Sequence, residues 1–392
     1  MPGSEGNASP IRLRPQVGPF LVGVVVVVTG ASVMSAELPD LPDPIGRAGL
    51  MAAVIELADG RLAILAAGGA NFPDGPPWDG GSKTFHREIL LLSREVAIDR
   101  WGWRVIGQLP NPTAYAAFCP SPDRRGMVVA GGCSADGHHQ AVLLVRADGH
   151  VEPYADPMPI PLAYSGFCVH DGRLVIIGGT ASPSAETAHA GMISLRLAAP
   201  GEGWRRIDED PRKAGILFFC GSFGHELVWG GGCGISAGPN GVQRRYRDRV
   251  YREVPAMSEG LADRSTGSSS NASPEEARDP GGDIRLDAPL AATAGPAIPL
   301  ADGLVFVGGD DGRYAGPPQD HPGQSRTVWF LNLQDGRCRP IGIWPTPIVT
   351  APLVRLDDEL VTISGETRPG MRTPAVSRMP IPAELLGRGA SR

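Results

Sequence analysis

The hydrophobic pattern of the chain repeats one motif, a short apolar strand that ends in two glycines or in Ser-Gly. The motif occurs six times, as RLAILAAGG, GMVVAGG, RLVIIGG, ELVWGGG, GLVFVGG and ELVTISG, with its last glycine at Gly69, Gly132, Gly179, Gly232, Gly309 and Gly365. Turns such as ADGR, HDGR or LDDE precede these strands, and a small-residue or apolar segment precedes each turn. A third apolar strand and a more polar fourth strand follow, as in REILLLS and WRVIGQLP. The pattern predicts six four-stranded antiparallel units and an all-β fold.

Units of this size suit the blades of a β-propeller, so we expect a six-bladed kelch-type propeller over residues 37–383. Tryptophan opens the fourth strand in only two units, at Trp103 and Trp204, which makes the repeat a degenerate one. The last unit stops after its third strand near Met379, whereas a Pro-rich segment from Leu38 precedes the first unit. We therefore predict that an N-terminal strand completes the last blade and closes the ring.

Three segments are predicted to lie outside the propeller. Residues 1–36 have the order of a secretory signal peptide, with Arg12 and Arg14, an apolar run and then small residues, although a Val-rich strand is the alternative. This signal predicts export to the periplasm or the medium, and the run is too short to serve as a stable membrane anchor. Ser, Gly and charged residues dominate 258–283, which predicts a disordered insertion in the fourth blade. We expect a flexible tail over 384–392.

Composition and charge narrow the classes of function. The formal net charge of -6 argues against a nucleic-acid partner, even though only Lys83 and Lys213 are lysines and the other basic residues are arginines. Cys119, Cys168 and Cys220 recur in one strand context, which indicates small buried residues and not a disulfide framework. The eight histidines show no metal-ligand spacing, so we expect neither a metal nor a cofactor.

Candidate site residues follow the glycine pairs. Because the six strands are equivalent around the axis, the side chains after the pairs should emerge on one face near a central funnel. They are Asn71, Cys133, Thr180, Cys233, Asp310 with Asp311, and Glu366, while Arg313, His321 and Arg372 lie further along the same loops. Pro369 and Gly370 brace the last loop, so that Glu366 and Arg372 are expected to converge without a direct ion pair. The alternative is that all of these are ordinary solvated loop charges.

Three segments carry a family resemblance: GGANFPDGPPWDGGSKTFHREILLLS, GGDDGRYAGPPQDHPGQSRTVWFLNL and SGETRPGMRTPAV. The chain resembles, over residues 38–381, the cyclically permuted kelch mutarotases, relatives of the bacterial N-acetylneuraminate mutarotase. The resemblance implies a six-bladed propeller that interconverts the anomers of sialic acid after export. The family's GE-x-x-PG-x-R string matches Glu366 and Arg372, which makes Glu366 the proton acceptor. Arg47 and Cys338 depart from the family pattern.

The sequence therefore predicts a sugar mutarotase, an isomerase whose substrate is a sialic acid. A carboxylate serves as general base in the opening of a cyclic hemiketal, and an arginine fork holds the sugar carboxylate in a bidentate pair. The predicted catalytic residues are Glu366 and Arg372, and the predicted substrate-binding residues are Asn71, Asp310, Asp311, Arg313 and His321.

Two other classes stay open beside this prediction. One is a non-catalytic kelch propeller that binds glycans or a partner protein. The other is a copper radical oxidase of kelch architecture, which needs a set of Tyr, His and Cys ligands that the sequence does not assemble. A homo-oligomer is compatible with each of these classes.

Overall fold

The computed structural model describes residues 37–238, 241–255, 284–286, 290 and 294–387. The predicted signal peptide (1–36) and the predicted insertion (258–283) lie outside the described residues. Strands dominate the described part, and its helical segments are short 3-10 turns, so the all-β prediction is confirmed. The 3-10 turns are Pro77–Asp79, Pro200–Glu202, Pro211–Lys213, Pro318–Asp320 and Ala383–Leu385. Across these same ranges, no helix combines the length and the apolar character that a membrane crossing requires.

The first three sheets follow one another along the chain and are antiparallel. Sheet one comprises β1 (Ala48–Glu56), β2 (Leu62–Asn71), the short β3 (Thr84–Phe85), which pairs only with β2, β4 (Glu88–Glu95) and β5 (Arg100–Gln108). Sheet two comprises β6 (Ala117–Pro120), β7 (Gly126–Ala130), β10 (Val142–Arg146) and β11 (Val151–Pro153), with a ribbon of β8 (Cys133–Ser134) and β9 (Gly137–His138) between β7 and β10. Sheet three comprises β12 (Gly166–His170), β13 (Arg173–Ile177), β14 (Gly191–Arg196) and β15 (Trp204–Glu209).

The other three sheets have the same antiparallel order. Sheet four comprises β16 (Ile216–Phe223), β17 (Glu226–Gly238), β18 (Gly241–Tyr246), which pairs only with β17, β19 (Arg249–Glu253) and β20 (Ile284–Arg285). Sheet five comprises β21 (Ala294–Leu300), β22 (Gly303–Val307), β23 (Thr327–Asn332) and β24 (Arg337–Ile343). Sheet six comprises β25 (Leu353–Leu356), β26 (Glu359–Ile363) and β29 (Val376–Pro380), with a ribbon of β27 (Glu366–Arg368) and β28 (Met371–Arg372) before β29.

Burial explains why the first and last strands of a sheet differ in sequence. The first strand β1, AGLMAAVIE, is buried on both faces up to its last residue, and it has the continuous apolar composition of a strand covered on both sides. The fourth strand β5, RWGWRVIGQ, alternates exposed and partly buried positions, as expected of a strand with one solvated face. Sheet one thus has a buried first strand and a more polar edge.

Among the described residues, six hydrophobic clusters each join two neighbouring sheets. Five of them join sheets that are consecutive in the chain, as where the rings of Phe219 in sheet four and Phe306 in sheet five stack at 4.1 Å. The sixth cluster joins the last sheet to the first, and it contains Val361 of β26 and Ile64 of β2. Packing of apolar side chains between neighbouring sheets is therefore the main source of their stability.

Backbone hydrogen bonds also connect residues at or just before the start of the first strands. The N–H of Gly49 donates to Thr350 (2.8 Å), that of Tyr115 to Gly49 (2.9 Å), that of Tyr164 to Tyr115 (3.1 Å) and that of Leu217 to Tyr164 (2.8 Å). All five residues have left-handed φ values, between 50° and 64°. Because a left-handed residue turns its backbone out of line with its own strand, each N–H meets a carbonyl of another sheet and not of its own.

The N-terminal segment was predicted to be the fourth strand of the last unit, and this prediction is wrong in detail. Sheet six has three strands in the described residues. Leu38 and Leu41 pack in the cluster between sheets six and one, and the N–H of Leu41 donates to the carbonyl of Pro374 (2.8 Å). One backbone bond does not make a ladder, since the Pro-rich segment has few N–H groups to offer.

A buried ionic cluster links this segment to sheets one and six, and it explains the unusual Arg47. The Arg47 guanidinium is bound to the carboxylates of Asp43 (2.8 Å) and Glu88 (3.0 Å), and the backbone N–H of Arg47 donates to Ser364 Oγ (2.6 Å). His86 lies 3.9 Å from Asp43 in the same cluster. Arg47 therefore has a structural role, because the fold supplies partners for its guanidinium and for its backbone N–H.

Residues 384–387 are ordered, although a flexible tail was expected over 384–392, and residues 388–392 lie outside the described residues. Ala383–Leu385 form a 3-10 turn, and the Leu385 side chain is buried among residues of sheets five and six. The carbonyl of Leu385 accepts a hydrogen bond from the N–H of Ala301 (3.2 Å). The apolar Leu385 accounts for the difference, because its burial holds the segment down.

The six cysteines are free thiols. Cys119, Cys168 and Cys220 occupy buried positions on β6, β12 and β16, the first strands of sheets two, three and four. The interpretation of these cysteines as small buried strand residues is confirmed.

The Arg47→Met variant should be less stable than the wild type by about 3 kcal/mol, because it leaves the carboxylate of Asp43 buried without its cation. Urea unfolding of the two proteins measures the difference. Arg61→Met is the matched control, since Arg61 pairs with Asp59 on an exposed turn of the same sheet. Equal stability of Arg47→Met and Arg61→Met would show that the buried cluster contributes nothing to holding sheets one and six together.

His86 should make the protein less stable below neutral pH. Burial lowers the pKa of His86, and the Arg47 cation adds to the effect against the opposing carboxylates of Asp43 and Glu88. As the pH falls through about 6.5, the unfolded chain takes up a proton at His86 that the folded chain does not, so folding loses stability. We expect the melting temperature of His86→Gln to fall less than that of the wild type between pH 7.5 and pH 5.5. Parallel melting curves across this range would exclude His86 as a source of the loss.

Candidate functional site

The glycine pairs lie where a side chain would collide with a neighbouring backbone. A Cβ on Gly308 would lie 1.9 Å from the carbonyl oxygen of Ile348, and one on Gly68 would lie 2.0 Å from that of Thr113. Both glycines also have left-handed φ values, 73° and 69°. The repeated glycines are thus required by the close approach of consecutive segments.

The residue after the pair is fixed by a short backbone bridge in three of the sheets. Cys133 bridges to Ala114, Thr180 to Ala163 and Glu366 to Val349. Each bridge partner immediately precedes one of the left-handed residues described above, here Tyr115, Tyr164 and Thr350. The same backbone hydrogen bonds that connect the sheets therefore determine where these side chains stand.

A cavity of about 690 Å³ lies where these segments meet. Its lining includes the left-handed residues Tyr115, Tyr164, Leu217 and Thr350. Its charged lining consists of Lys83, Arg244, Asp310, Glu366 and Arg372. The volume lies in the range of small-molecule sites, and the mixture of a few charged groups with aromatic walls is typical of them.

Glu366 and Arg372 face each other across the β27–β28 ribbon. Arg372 Nη1 lies 3.4 Å from Glu366 Oε2, so the expectation that the two groups converge without a direct ion pair is wrong. The reason is the ribbon itself, because directly opposed residues of paired strands project to the same side. Glu366 Oε1 also accepts a hydrogen bond from the Gly370 N–H (3.1 Å).

The guanidinium of Arg372 is buried, with 3% of its side chain exposed, yet it is poorly satisfied. Its Nε and Nη1 atoms find no hydrogen-bond partner among the described residues, because the contact with Glu366 has the distance of an ion pair without the direction of a hydrogen bond. The Phe72 ring covers the group at 4.8 Å. Buried donors of this kind are rare in folded proteins, and a ligand that accepts hydrogen bonds would satisfy them.

Lys83 is a cavity residue that the sequence interpretation missed. Its ammonium lies 5.4 Å from the centre of the Tyr115 ring and 5.9 Å from those of Phe72 and Phe85. Burial lowers the pKa of Lys83, and the nearby Arg372 cation lowers it further. One signal was available in the sequence, since Lys83 is one of two lysines in a chain that otherwise uses arginine.

Two aromatic hydroxyl groups and one arginine of the cavity were also missed. The rings of Tyr115 and Tyr164 lie 4.4 Å apart, and burial raises the pKa of both phenols, so they are neutral donors at physiological pH. Arg244 of β18 lines the cavity as well. No sequence signal marks these residues, because the two tyrosines belong to the apolar segments before first strands and Arg244 stands among other arginines.

Asp310 lines the cavity, as its position after a glycine pair predicted. It accepts a hydrogen bond from the Tyr246 hydroxyl (2.9 Å), and burial together with the Asp310 charge raises the pKa of Tyr246 to about 12. The neighbouring Asp311 does not line the cavity. Its carboxylate accepts from the N–H of Arg313 (3.0 Å) and lies 3.5 Å from the Arg313 guanidinium.

The structure does not bring the other predicted substrate-binding residues to the cavity. Arg313 is exposed on the loop of sheet five, with 68% of its side chain accessible. His321 is buried in that loop, where its ring packs edge-on against Tyr314 and its Nδ1 accepts from the N–H of Gly323 (3.1 Å). These two residues stabilise the loop itself.

Asn71 is likewise absent from the cavity lining, because it is the second residue after the glycine pair and not the first. Ala70 is the residue that directly follows the first glycine pair, and successive strand side chains point to opposite faces. Asn71 therefore turns into the buried cluster, where it donates to Asp43 (3.2 Å) and its side-chain oxygen lies 2.9 Å from His86 Nε2. Its role there is structural.

The cavity thus combines three cations with two carboxylates, and one of the cations has unsatisfied buried donors. Such a lining suits a small polar ligand that carries an anionic group, since a carboxylate matches the planar guanidinium fork. Over the described ranges, no group of three or more His, Cys, Asp or Glu side chains is arranged to hold a metal ion. A copper radical oxidase would need such a set of ligands.

No protein-family model matches the chain, and no curated protein sequence matches it either.

Arg372→Met should leave stability within about 1 kcal/mol of the wild type, because it removes a buried charge whose donors are not satisfied by the fold. Urea unfolding measures this, with Arg47→Met as the comparison in which a satisfied buried arginine is lost. The contrast separates a ligand-binding arginine from a structural one. A loss from Arg372→Met as large as that from Arg47→Met would identify Arg372 as structural.

Proposed function

We propose that this protein is a sugar mutarotase of six-bladed propeller architecture, which interconverts the anomers of a sialic acid such as N-acetylneuraminate. The proposal includes export of the protein, the small sugar as its partner and a reaction without a cofactor. The observation that carries it is the pair of Glu366 and Arg372 in the cavity, a carboxylate beside a buried guanidinium with two unsatisfied donors.

The propeller part of the proposal rests on the order in which the sheets touch. Clusters join each sheet to the next and the sixth sheet to the first. The first strands also contact one another in this order, with β25 of sheet six against β1 of sheet one. Six sheets with their first strands innermost correspond to six blades around an axis.

The catalytic part of the proposal assigns one step to each group. Glu366 accepts the proton of the anomeric hydroxyl while the ring oxygen gains one, so that the C–O bond of the ring breaks and a ketone forms. The open chain then closes on the other face of the ketone, and the two protons return. Arg372 holds the carboxylate on the anomeric carbon through the Nε and Nη1 donors that the fold leaves unsatisfied. Each of these contacts uses a group that lines the same cavity.

A non-catalytic glycan-binding propeller is the second candidate, and one observation favours it. Glu366 already accepts a hydrogen bond from the Gly370 N–H through Oε1 (3.1 Å), and its Oε2 lies 3.4 Å from Arg372, so both carboxylate oxygens are engaged by the fold. Under this alternative, Glu366 and Arg372 recognise a sugar without turnover. The cavity and its anionic ligand are common to both candidates, and the rate of mutarotation distinguishes them.

Glu366→Gln should abolish most of the acceleration of mutarotation, because the amide keeps the shape of the carboxylate and cannot accept a proton. A positioned general base contributes about 10²-fold to 10⁴-fold, so the rate should fall toward the spontaneous one. Nuclear magnetic resonance of a freshly dissolved single anomer of N-acetylneuraminic acid measures the rate, and binding by the variant should persist.

Three results would contradict parts of the proposal. Wild-type protein that leaves sialic acid at the buffer rate but accelerates another sugar would replace the substrate. No acceleration for any reducing sugar, with binding retained, would favour the non-catalytic propeller. Undiminished acceleration by Glu366→Gln would remove this carboxylate from the mechanism.

A further inference from the structure

Lys83 is placed in the cavity without a bonding role in the fold. It lies on the loop between β2 and β4, immediately before β3, and its ammonium makes no hydrogen bond or ion pair with the described residues. The nearest groups are the rings of Phe72, Phe85 and Tyr115, at 5.4 to 5.9 Å from ring centre to Nζ. These rings limit the water that solvates the ammonium.

The second lysine of the chain shows what a structural lysine looks like here. Lys213 is fully buried, and its ammonium binds the carboxylates of Asp208 (2.6 Å) and Glu253 (3.0 Å). Lys83 has no such partners. An ammonium can lose its proton whereas a guanidinium stays charged, so Lys83 gives the cavity a proton-transfer group that Arg244 and Arg372 do not provide.

The surroundings of Lys83 lower its pKa, so its amine is neutral at a lower pH than that of an ordinary lysine. Arg372 and Arg244 oppose its positive charge, while Glu366 and the thiol of Cys133 act in the other direction. The first and largest influence is burial, which lowers the pKa of Lys83. Burial also raises the pKa of Cys133, so this thiol is neutral at physiological pH and leaves Glu366 as the nearby negative charge.

We propose that Lys83 is the second proton-transfer group of the cavity, a catalytic acid that acts together with the base Glu366. The inference rests on the proposed mutarotase function and adds a residue to it. In ring opening, the Lys83 ammonium donates a proton to the ring oxygen as the C–O bond breaks, and Glu366 takes the proton of the anomeric hydroxyl. In ring closure on the other face, the ring oxygen returns its proton to the Lys83 amine, and the carboxyl group of Glu366 protonates the carbonyl oxygen. The protons balance over one turnover, and no other reactant is needed.

A lysine acid imposes a particular pH dependence. The acid must be protonated, so the enzymatic rate, after subtraction of the buffer rate, should fall on the alkaline side. The fall should occur at a lower pH than an ordinary lysine would give, because the pKa of Lys83 is lowered. Lys83→Met should lose most of the acceleration, about 10²-fold or more, and should lose the alkaline fall of whatever rate remains.

Lys83→Arg separates proton transfer from simple attraction of an anion. Arginine keeps the positive charge and cannot release its proton in this pH range, so the variant should bind sialic acid and remain slow. Arg104→Met, which removes an exposed cation from β5 on the polar edge of sheet one, is the matched control and should keep the wild-type rate. A wild-type rate in Lys83→Arg would overturn the proposal in favour of a purely electrostatic role.

Amine labelling provides a readout that does not depend on catalysis. Acetic anhydride should modify Lys83 with a lower apparent pKa than Nα-acetyl-lysine, while the buried Lys213 serves as an internal unreactive site. Peptide mapping by mass spectrometry separates Lys83 from the α-amino group, and sialic acid should slow the labelling of Lys83. Labelling of Lys83 with the pKa of a free lysine, unchanged by the sugar, would overturn the inference.

The two proposals fail in different ways. If the wild type accelerates mutarotation and Lys83→Met does so equally, the proton-transfer role of Lys83 is wrong and the mutarotase remains. If the wild type accelerates no sugar, the mutarotase is wrong and the role of Lys83 falls with it. Circular dichroism and urea unfolding of Lys83→Met confirm that a lost rate is not lost folding.

Discussion

The backbone hydrogen bonds among the left-handed residues are the constraint on which the rest of the structure depends. Sheets one, two, three, four and six are connected near the start of their first strands by Gly49, Tyr115, Tyr164, Leu217 and Thr350. A left-handed conformation costs a residue other than glycine about 1 kcal/mol or more, and it persists only where the surroundings impose it. Here the packing of the sheets imposes it. Four of them, Tyr115, Tyr164, Leu217 and Thr350, also line the cavity, so the hydrogen bonds that connect the sheets also shape the site.

Two buried arginines show how the fold divides its charges between stability and ligand binding. Arg47 has carboxylate partners at 2.8 and 3.0 Å and joins the N-terminal segment to sheets one and six. Arg372 has one misaligned partner at 3.4 Å and two donors without an acceptor. A buried donor that the fold does not satisfy lowers stability, and such groups concentrate at binding sites. The contrast supports the proposal that a ligand in the cavity satisfies the donors of Arg372 that the fold leaves unpaired.

Much of the fold could be predicted from the sequence, because repeated glycine pairs mark backbone contacts that recur in each sheet. The position directly after the glycine motif correctly predicted that Asp310 and Glu366 line the cavity. The prediction for Asn71 was wrong because Asn71 lies one position further along the strand, and a shift of one residue turns a strand side chain to the opposite face. Tyr115 and Arg244 reach the cavity without any signal in the local sequence, whereas Lys83 was marked only by the rarity of lysine in the chain. The N-terminal segment was recognised by its position in the repeat, but its prolines limit it to one backbone bond with sheet six.

The central claim is that the cavity holds an anionic sugar through the unsatisfied donors of Arg372, beside Glu366. A crystal structure of the protein soaked with N-acetylneuraminic acid tests it most directly. We expect the sugar carboxylate within about 3 Å of Arg372 Nε and Nη1, with the anomeric hydroxyl at Glu366 and the ring oxygen toward Lys83. A sugar bound elsewhere on the protein, or one whose carboxylate points away from Arg372 toward solvent, would contradict it.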